Sequence, residues 1–465
     1  MEKKGFSEKK FTKYILAAYF FVFIISFSWH LSYYFYDFMT IYSVVGILFM
    51  PIIASVGLLM YPSIAFVYSL LPSQVGFIPV NLSTLYDIVA LGGLFLYIAK
   101  SKKKTRNVSD FLTIFFLIFM VFLAIYHGVE ISFSNYWLIL MLTGGLVYFV
   151  VSNVIDNKKK LRIFVWLLIL MIMAIIFRYT FYATGFQSSF AGNFDNNMFS
   201  RDLVFIVPMI IYLFWAEKNK ILKGLLLVSV GLIMQNIAVM GSRASWLAIA
   251  PVLVLIGIKN IRKKSTWGFA ILGILFVIFY VVSSPQIMDE IYSLERAGGG
   301  VESEDGSMRG RFEAMHAGLN AFKQRLFLGW GPSKHMMTVI NYMDSIGLRG
   351  RAMHNAYLEI MVGMGLFGIL LYLSLFASSF FNAYNAQRLA RGKDKFVYNI
   401  SWGIIFALAA FSINHAMVNR AHTTVLWIAF GLSTAVYRIA IRMHNNEHDK
   451  NINKLEGSRH EADKS

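Results

Sequence analysis

Cysteine is absent from the 465 residues, which excludes a disulfide framework and any thiolate metal site. Charge is scarce too: Asp, Glu, Lys and Arg make up 15% of the chain while 57% is hydrophobic, against roughly a quarter charged in soluble domains. With a mean hydropathy of +0.59, the composition is that of a polytopic membrane protein. Acid is scarcer than base, 25 residues against 43, for a net charge of +18. That excess does not describe a nucleic-acid surface, so no nucleic-acid partner is expected. The Lys and Arg sit in short clusters between apolar runs, as positive-inside loops do. The basic N-terminus precedes a long apolar run with no small-residue cleavage site. Residues 1–13 therefore read as a cytoplasmic tail before an uncleaved first span. No clear repeat relates the two halves.

What is present is a succession of apolar runs broken by Lys-rich turns. The expected fold class is an all-α polytopic membrane protein of about 12–14 transmembrane helices, both termini cytoplasmic. Spans are read at 14–34, at a proline-interrupted 38–80 (Pro51, Pro62, Pro72, Pro79), at 85–99, 111–127, 137–154, 164–182, 203–216, 225–240, 245–258 and 267–282, and again at 357–380, 396–415 and 423–440. This divides the chain into a tail at 1–13, a helical bundle at 14–283 and one long extracytoplasmic loop at 284–353. The C-terminal spans occupy 354–441, and a mixed-charge tail at 442–465 is expected to be disordered.

The long loop changes character along its length. Its first half is acidic and contains Gly298-Gly299-Gly300; its second half is basic. In the second half Phe312, Met315, Leu319, Phe322 and Leu326 recur at spacings of three and four. That stripe predicts an amphipathic helix lying in the outer interface, its apolar face in lipid or on the bundle. A loop so long and so Gly-punctuated between spans is where chemistry is expected.

Three side chains are the catalytic candidates. His354 sits where the chain re-enters an apolar run; in a first helical turn near guanidinium groups its imidazole stays neutral and can accept a proton. Arg311 opens the amphipathic helix. Arg243, in Ser242-Arg243-Ala244, sits at an outer span start where a guanidinium suits a lipid-borne phosphate. Ser242, Arg309, Arg351, Asn355, Tyr357 and Asn196 are candidates for binding substrate, with Asn355 either orienting His354 or meeting sugar hydroxyls. His415, Asn414, Arg420 and His422 flank an outer turn that can line the same cavity. Each has a structural alternative: Arg243 as a snorkelling arginine, Arg311 as part of a solvated basic face, His354 as an interface ring bonded to backbone, Tyr357 as a member of the aromatic belt. No metal site is expected: Glu302-x-Glu304-Asp305 lies in a Gly-rich tract without histidine, and no Asp-x-Asp pair is present.

With these residues in hand the chain resembles the O-antigen ligase and O-antigen polymerase family of bacterial membrane glycosyltransferases. Three ordered blocks carry the likeness: Ser242-Arg243-Ala244; Arg311 followed by Phe327-Leu328-Gly329-Trp330-Gly331; and His354-Asn355-Ala356-Tyr357-Leu358 with Gly365 and Gly368. Asn193–Asn197 is a looser echo of an outer-loop Asn element. The chain departs from the pattern at Gly363, where the family often has an acid, and at Phe327, where it has proline. A supporting acid then has to come from elsewhere, for example Glu359 or Glu313. The resemblance implies a cofactor-free, metal-independent, inverting transfer of a glycan from undecaprenyl pyrophosphate to a hydroxyl of a glycan or glycolipid acceptor. It would take place at the outer face of the bacterial inner membrane, with a chain-length regulator as a further candidate partner. His354 would be the base, and Arg243 and Arg311 would hold the pyrophosphate. Polymerisation of repeat units is favoured over ligation to lipid A-core. A transporter or flippase of the same lipid-linked oligosaccharide and a structural envelope component are the alternatives.

Overall fold

A computed structural model describes residues 11–17, 90–98, 107–129, 136–183, 196–239, 243–262, 305–348, 350–418 and 421–462, with side chains excepted at 136, 178–183, 196–199, 238–239, 243, 305–309 and 447–462. The expected spans at 14–34, 38–80 and 267–282 lie wholly or largely outside these residues. Among the described residues the chain is helical throughout, with no strand. The helices are α1 (Val108–Tyr126), α2 (Tyr136–Val154), α3 (Lys158–Ala183), α4 (Asn196–Ala216), α5 (Lys220–Val239), α6 (Arg243–Lys259), α7 (Asp305–Gln324), α8 (His335–Ser345), α9 (Ala356–Ala390), α10 (Lys395–His415) and α11 (Thr424–Ala462). Seven of the described helices are long and apolar enough to cross a membrane. The fold is a polytopic all-α membrane protein.

Nine expected spans fall on α1–α6 and α9–α11, but several helices outrun their apolar runs. α3 begins among its lysines, and α11 continues through the segment expected to be a disordered tail as far as Ala462. Hydropathy marks only the stretch that prefers lipid. An established helix continues into polar residues without a new nucleation cost.

The bundle is centred on α9, α10 and α11. α10 packs on α4, α6, α9 and α11, and α11 packs on α2 and α9. At one end the Lys-rich turns are gathered by ion pairs. Lys158 meets Asp394 at 2.6 Å, Arg162 meets Glu217 at 2.6 Å, and Arg438 pairs with Asp110. Arg442 donates to the carbonyl of Asp156 at 2.9 Å, which adds the start of the C-terminal extension to the same end.

At the other end α7 and α8 fold onto the start of α9. They enclose a second small core of Ala314, Ala317, Ala321, Val339, Met343, Met353, Leu358 and Val362. Of the two orientations expected for the amphipathic helix, its large apolar stripe is not the face set on the bundle. The face of α7 turned inward is the small one: Gly310, Ala314, Ala317, Gly318 and Ala321 are buried, while Phe312, Leu319 and Leu326 are exposed. Met315 and Phe322 pack only at the margin. The reason is closeness of approach. A Cβ at Gly318 would lie 2.5 Å from Met353 Sδ and 2.8 Å from Leu358, so bulk is admitted only on the far side.

The Gly-x-Gly turn is seated in a break in α9. Gly365 has φ 69° and ψ −165° and interrupts the helix. The carbonyls of Val362 and Gly363 accept from the N–H groups of Trp330 and Gly331, both at 2.9 Å, and Leu366 N–H donates to Leu326 at 2.7 Å. Backbone freed in a membrane helix has to be paired within the protein, and here the loop supplies the partners. The same turn is pinned to the end of α1, where Lys334 Nζ donates to the carbonyl of His127 at 2.7 Å.

Candidate functional site

The start of α9 is built around a cap. Asn355 is the N-cap, its Oδ1 accepting from Leu358 N–H at 3.0 Å, which satisfies one of the orphan donors of the first turn. Its amide oxygen is thereby engaged in the cap. His354, just before it, has φ 50°. Left-handed backbone is uncommon outside glycine and is held only where the surroundings insist on it. The half-buried His354 is thus aimed by the cap on one side and by Met353, buried against Gly318, on the other.

Residues 351–358 run along α7 from Gly310 to Gly318. A Cβ at Gly310 would fall 1.9 Å from Arg351 Nη1, and one at Gly318 would meet Met353 and Leu358. Arg351 therefore closes over the start of α7 and fastens this segment to it. Arg311 is half-buried and lies seven residues, two turns, before Gly318, so both project from one flank of the helix. That flank is the one along which His354's segment runs.

The helix that begins with Arg243 grips the same part of the bundle as the helix that follows His354. In its first turn Ser245 Oγ donates to Ser200 Oγ at 2.9 Å and accepts from Asn414 Nδ2 at 3.3 Å. Tyr357, in the first turn of α9, donates its hydroxyl to the Ser412 carbonyl at 3.0 Å. The last turn of α10 is thus held from both sides. Tyr357 packs its ring against Tyr372, Phe376 and His415. Its hydroxyl is thus engaged with the bundle.

Asn414 and His415 are fully buried and His422 nearly so. They fill the interior of this end. The side chains of Arg243, Arg309 and Asn196, and all of Ser242 and Arg420, lie outside what the structure describes.

Two features escaped the sequence reading. One is the buried pair Arg201–Asp202, 2.9 Å apart in the early turns of α4, with Thr423 donating to Asp202 at 3.2 Å. The other is a hub beneath the loop. His335 opens α8 and packs against Trp137 at 5.5 Å between centroids, and His422 meets the same indole at 6.0 Å. Glu359, named above as a candidate supporting acid, is buried there. It accepts from Ala421 N–H at 2.9 Å and lies 3.8 Å from His335 Nε2. The space beside Gly363 is taken by His335, 3.7 Å from where a Cβ would stand. The acid at the end of this chain's hub is therefore Glu359, one turn before Gly363.

Burial pushes the His335 imidazole down to about 4, so the folded protein holds it neutral. A base depressed in this way leaves the fold most stable above its ordinary value. As the pH falls from about 6.5 to about 4 the unfolded chain takes up a proton that the folded hub refuses, a loss on the order of 3 kcal/mol. Hydrogen exchange in α7 and α8 is expected to accelerate across that window, and His335→Gln is expected to flatten the dependence.

The comparisons fall on this same region. Residues 229–373 match the family model described as O-antigen ligase. That stretch holds α6, the loop module and the broken half of α9. No curated protein matches the chain at a significant level. Through residues 229–373, which hold the three blocks in their order and the loop folded onto the start of α9, the chain is similar to the O-antigen ligase family.

Proposed function

We propose that the protein is an inverting glycosyltransferase of the bacterial inner membrane, both termini cytoplasmic and its site on the outer face. It takes a glycan from an undecaprenyl-pyrophosphate donor and passes it to a hydroxyl of a second glycan. His354 removes the acceptor's proton as the hydroxyl oxygen attacks the anomeric carbon. The bond from that carbon to the pyrophosphate oxygen breaks, and the lipid pyrophosphate leaves with the electron pair. Arg311 and Arg243 hold the pyrophosphate and offset the charge that grows on it. The leaving group is good enough to depart without a metal. Polymerisation of repeat units is favoured over ligation to lipid A-core.

The observation that supports this reading is the run of residues 351–358, which includes His354 at φ 50°, along the flank of α7 from which Arg311 projects. The break in α9 is the one feature shared with transporters, whose broken helices expose backbone to ligand. Here the freed groups are taken up by the Gly-x-Gly turn, which favours a transferase. Purified protein incubated with its host's lipid-linked repeat unit, with and without acceptor, tests the proposal. Longer products and released lipid pyrophosphate support it; lipid flipping without bond formation rejects it.

A further inference from the structure

Beside the Gly-x-Gly turn the loop carries a basic surface with an apolar edge that the reaction described above leaves unused. Between Glu313 and Asp344 the chain has Lys323, Arg325 and Lys334 and no acid. Two of these cations meet at one residue. Arg325 Nη1 lies 3.4 Å from His127 Nδ1, with its guanidinium 4.1 Å from the centre of the Trp330 ring, and Lys334 Nζ donates to the His127 carbonyl. Both cations are exposed, and among the described residues neither is paired with a carboxylate. An imidazole, an indole and a carbonyl aim the two charges without cancelling them.

Two landmarks put these cations at the same depth. His127 follows directly on the membrane-length stretch of α1, whose exposed stripe runs Phe111, Phe115, Ile118, Phe122 and Ile125. Two residues after Arg325, the exposed ring of Phe327 lies 6.0 Å from that of Phe367. Phe367, Leu370 and Leu373 form the exposed edge of α9 just past its break. A chain that leaves hydrocarbon at His127 and touches it again at Phe327 holds Arg325 and Lys334 where headgroups lie.

Charge and depth together select the occupant. Two uncancelled cations above an apolar edge suit a phosphate that arrives with acyl chains, and a zwitterionic headgroup brings a cation of its own. The phosphate assigned to Arg311 is a different one. Arg325 follows the last residue of α7, about 20 Å along the helix from Arg311, further than one pyrophosphate reaches.

We propose that Arg325 and Lys334 bind the phosphate of an anionic phospholipid from the surrounding bilayer, its acyl chains lying against Phe327 and Phe367. The two cations stand on either side of Gly329–Gly331, so one headgroup bridging them ties α7 and α8 down over the break in α9. The site makes no use of glycan transfer and stands or falls apart from the transferase reading. Each cation is expected to contribute about fivefold in affinity for an anionic headgroup, and the two together about thirtyfold.

The test takes the full-length protein in phosphatidylcholine nanodiscs, adds phosphatidylglycerol in increasing fraction, and follows hydrogen exchange over residues 325–334. Wild type is expected to gain protection as phosphatidylglycerol rises. Arg325→Gln/Lys334→Gln is expected to lose that response over the accessible range, and Arg325→Lys/Lys334→Arg to keep it. Losing the Lys334 contact with His127 can loosen the turn in any lipid. The readout is therefore the difference between the two lipids, which a purely structural role does not move. Either single Gln variant, expected to shift the response about fivefold, decides the matter if the double variant does not fold. Lys218→Gln, beside Glu217 at the other end of the bundle, is expected to respond as wild type. No gain by wild type, or an equal gain by the Gln variants, overturns the proposal. Equal protection by inorganic phosphate in pure phosphatidylcholine overturns it in favour of a free anion. A response to undecaprenyl phosphate but not to phosphatidylglycerol overturns it in favour of the donor lipid.

Discussion

His354→Gly is expected to abolish glycan transfer while leaving the protein at least as stable as wild type. The two effects have separate causes. A positioned general base contributes about 10²–10⁴ in rate, and glycine carries no group that can take the acceptor's proton. At φ 50° a histidine bears a conformational cost of roughly 1–2 kcal/mol that glycine escapes. His354→Ala is expected to lose the same activity but to keep the strain, so it should melt no higher than wild type. The opposed movement of Tm and rate in His354→Gly distinguishes lost chemistry from lost folding. Added imidazole is expected to return part of the turnover. Arg311→Ala, whose side chain is proposed to meet the pyrophosphate, is expected to cost about 10²–10³ in kcat. Arg311→Lys should recover only part of it, because a point charge lacks the planar fork that suits phosphate. Single-turnover transfer from lipid-linked glycan, run beside thermal melts in detergent, measures all four. Retention of wild-type product lengths by His354→Gly would remove the base from the mechanism.

The second large effect is expected at the seam between the loop and the broken helix. Gly329 has φ 65° and a Cβ there would lie 2.6 Å from the Val362 carbonyl; Gly365 has φ 69° and its Cβ would lie 2.2 Å from the Phe327 carbonyl. Neither contact has a flexible side chain that can yield, since both partners are backbone. Alanine at either position combines about 1–3 kcal/mol of backbone strain with a steric overlap that the seam can relieve only by opening. Opening would strand the carbonyls of Val362 and Gly363 within the membrane helix, at several kcal/mol each. Gly329→Ala and Gly365→Ala are therefore expected to undock α7 and α8 and reduce transfer as severely as loss of His354. Hydrogen exchange at Trp330 and Gly331 should rise by orders of magnitude. Gly363→Ala is the internal control: its nearest neighbours stand at 3.4–3.7 Å, and it is expected to be tolerated.

The membrane class, the positions of most described helices and the stretch that resembles a known family were readable from local pattern. Apolar runs report what each segment prefers as solvent, and that preference needs no partner. The blocks around Arg243, Arg311 and His354 were found the same way, as short strings of residue types in a fixed order. The sequence left alternatives open where a residue's role depends on what lies across from it. The large stripe of α7 could face lipid or the bundle, and Ala314, Ala317 and Ala321 are the ones inside. How closely α7 approaches Met353 and Leu358 is a property of the pair. That the hydroxyl of Tyr357 meets the Ser412 carbonyl is likewise a matter of what α10 brings beside it.

Glycines at 329, 331, 365 and 368 stood out in the chain as a motif, but their meaning is a backbone pairing between segments some thirty residues apart. The hub of Trp137, His335, Glu359 and His422 joins four elements from distant parts of the chain, and no window of sequence contains it. Solvent preference and local hydrogen bonding act on neighbours along the chain, so composition and order suffice to announce a membrane-embedded helical protein that resembles this family through residues 229–373. Which faces meet, which glycine must stay bare and which acid lies beside His335 are settled by contact between remote segments, and those exist only once the bundle has closed.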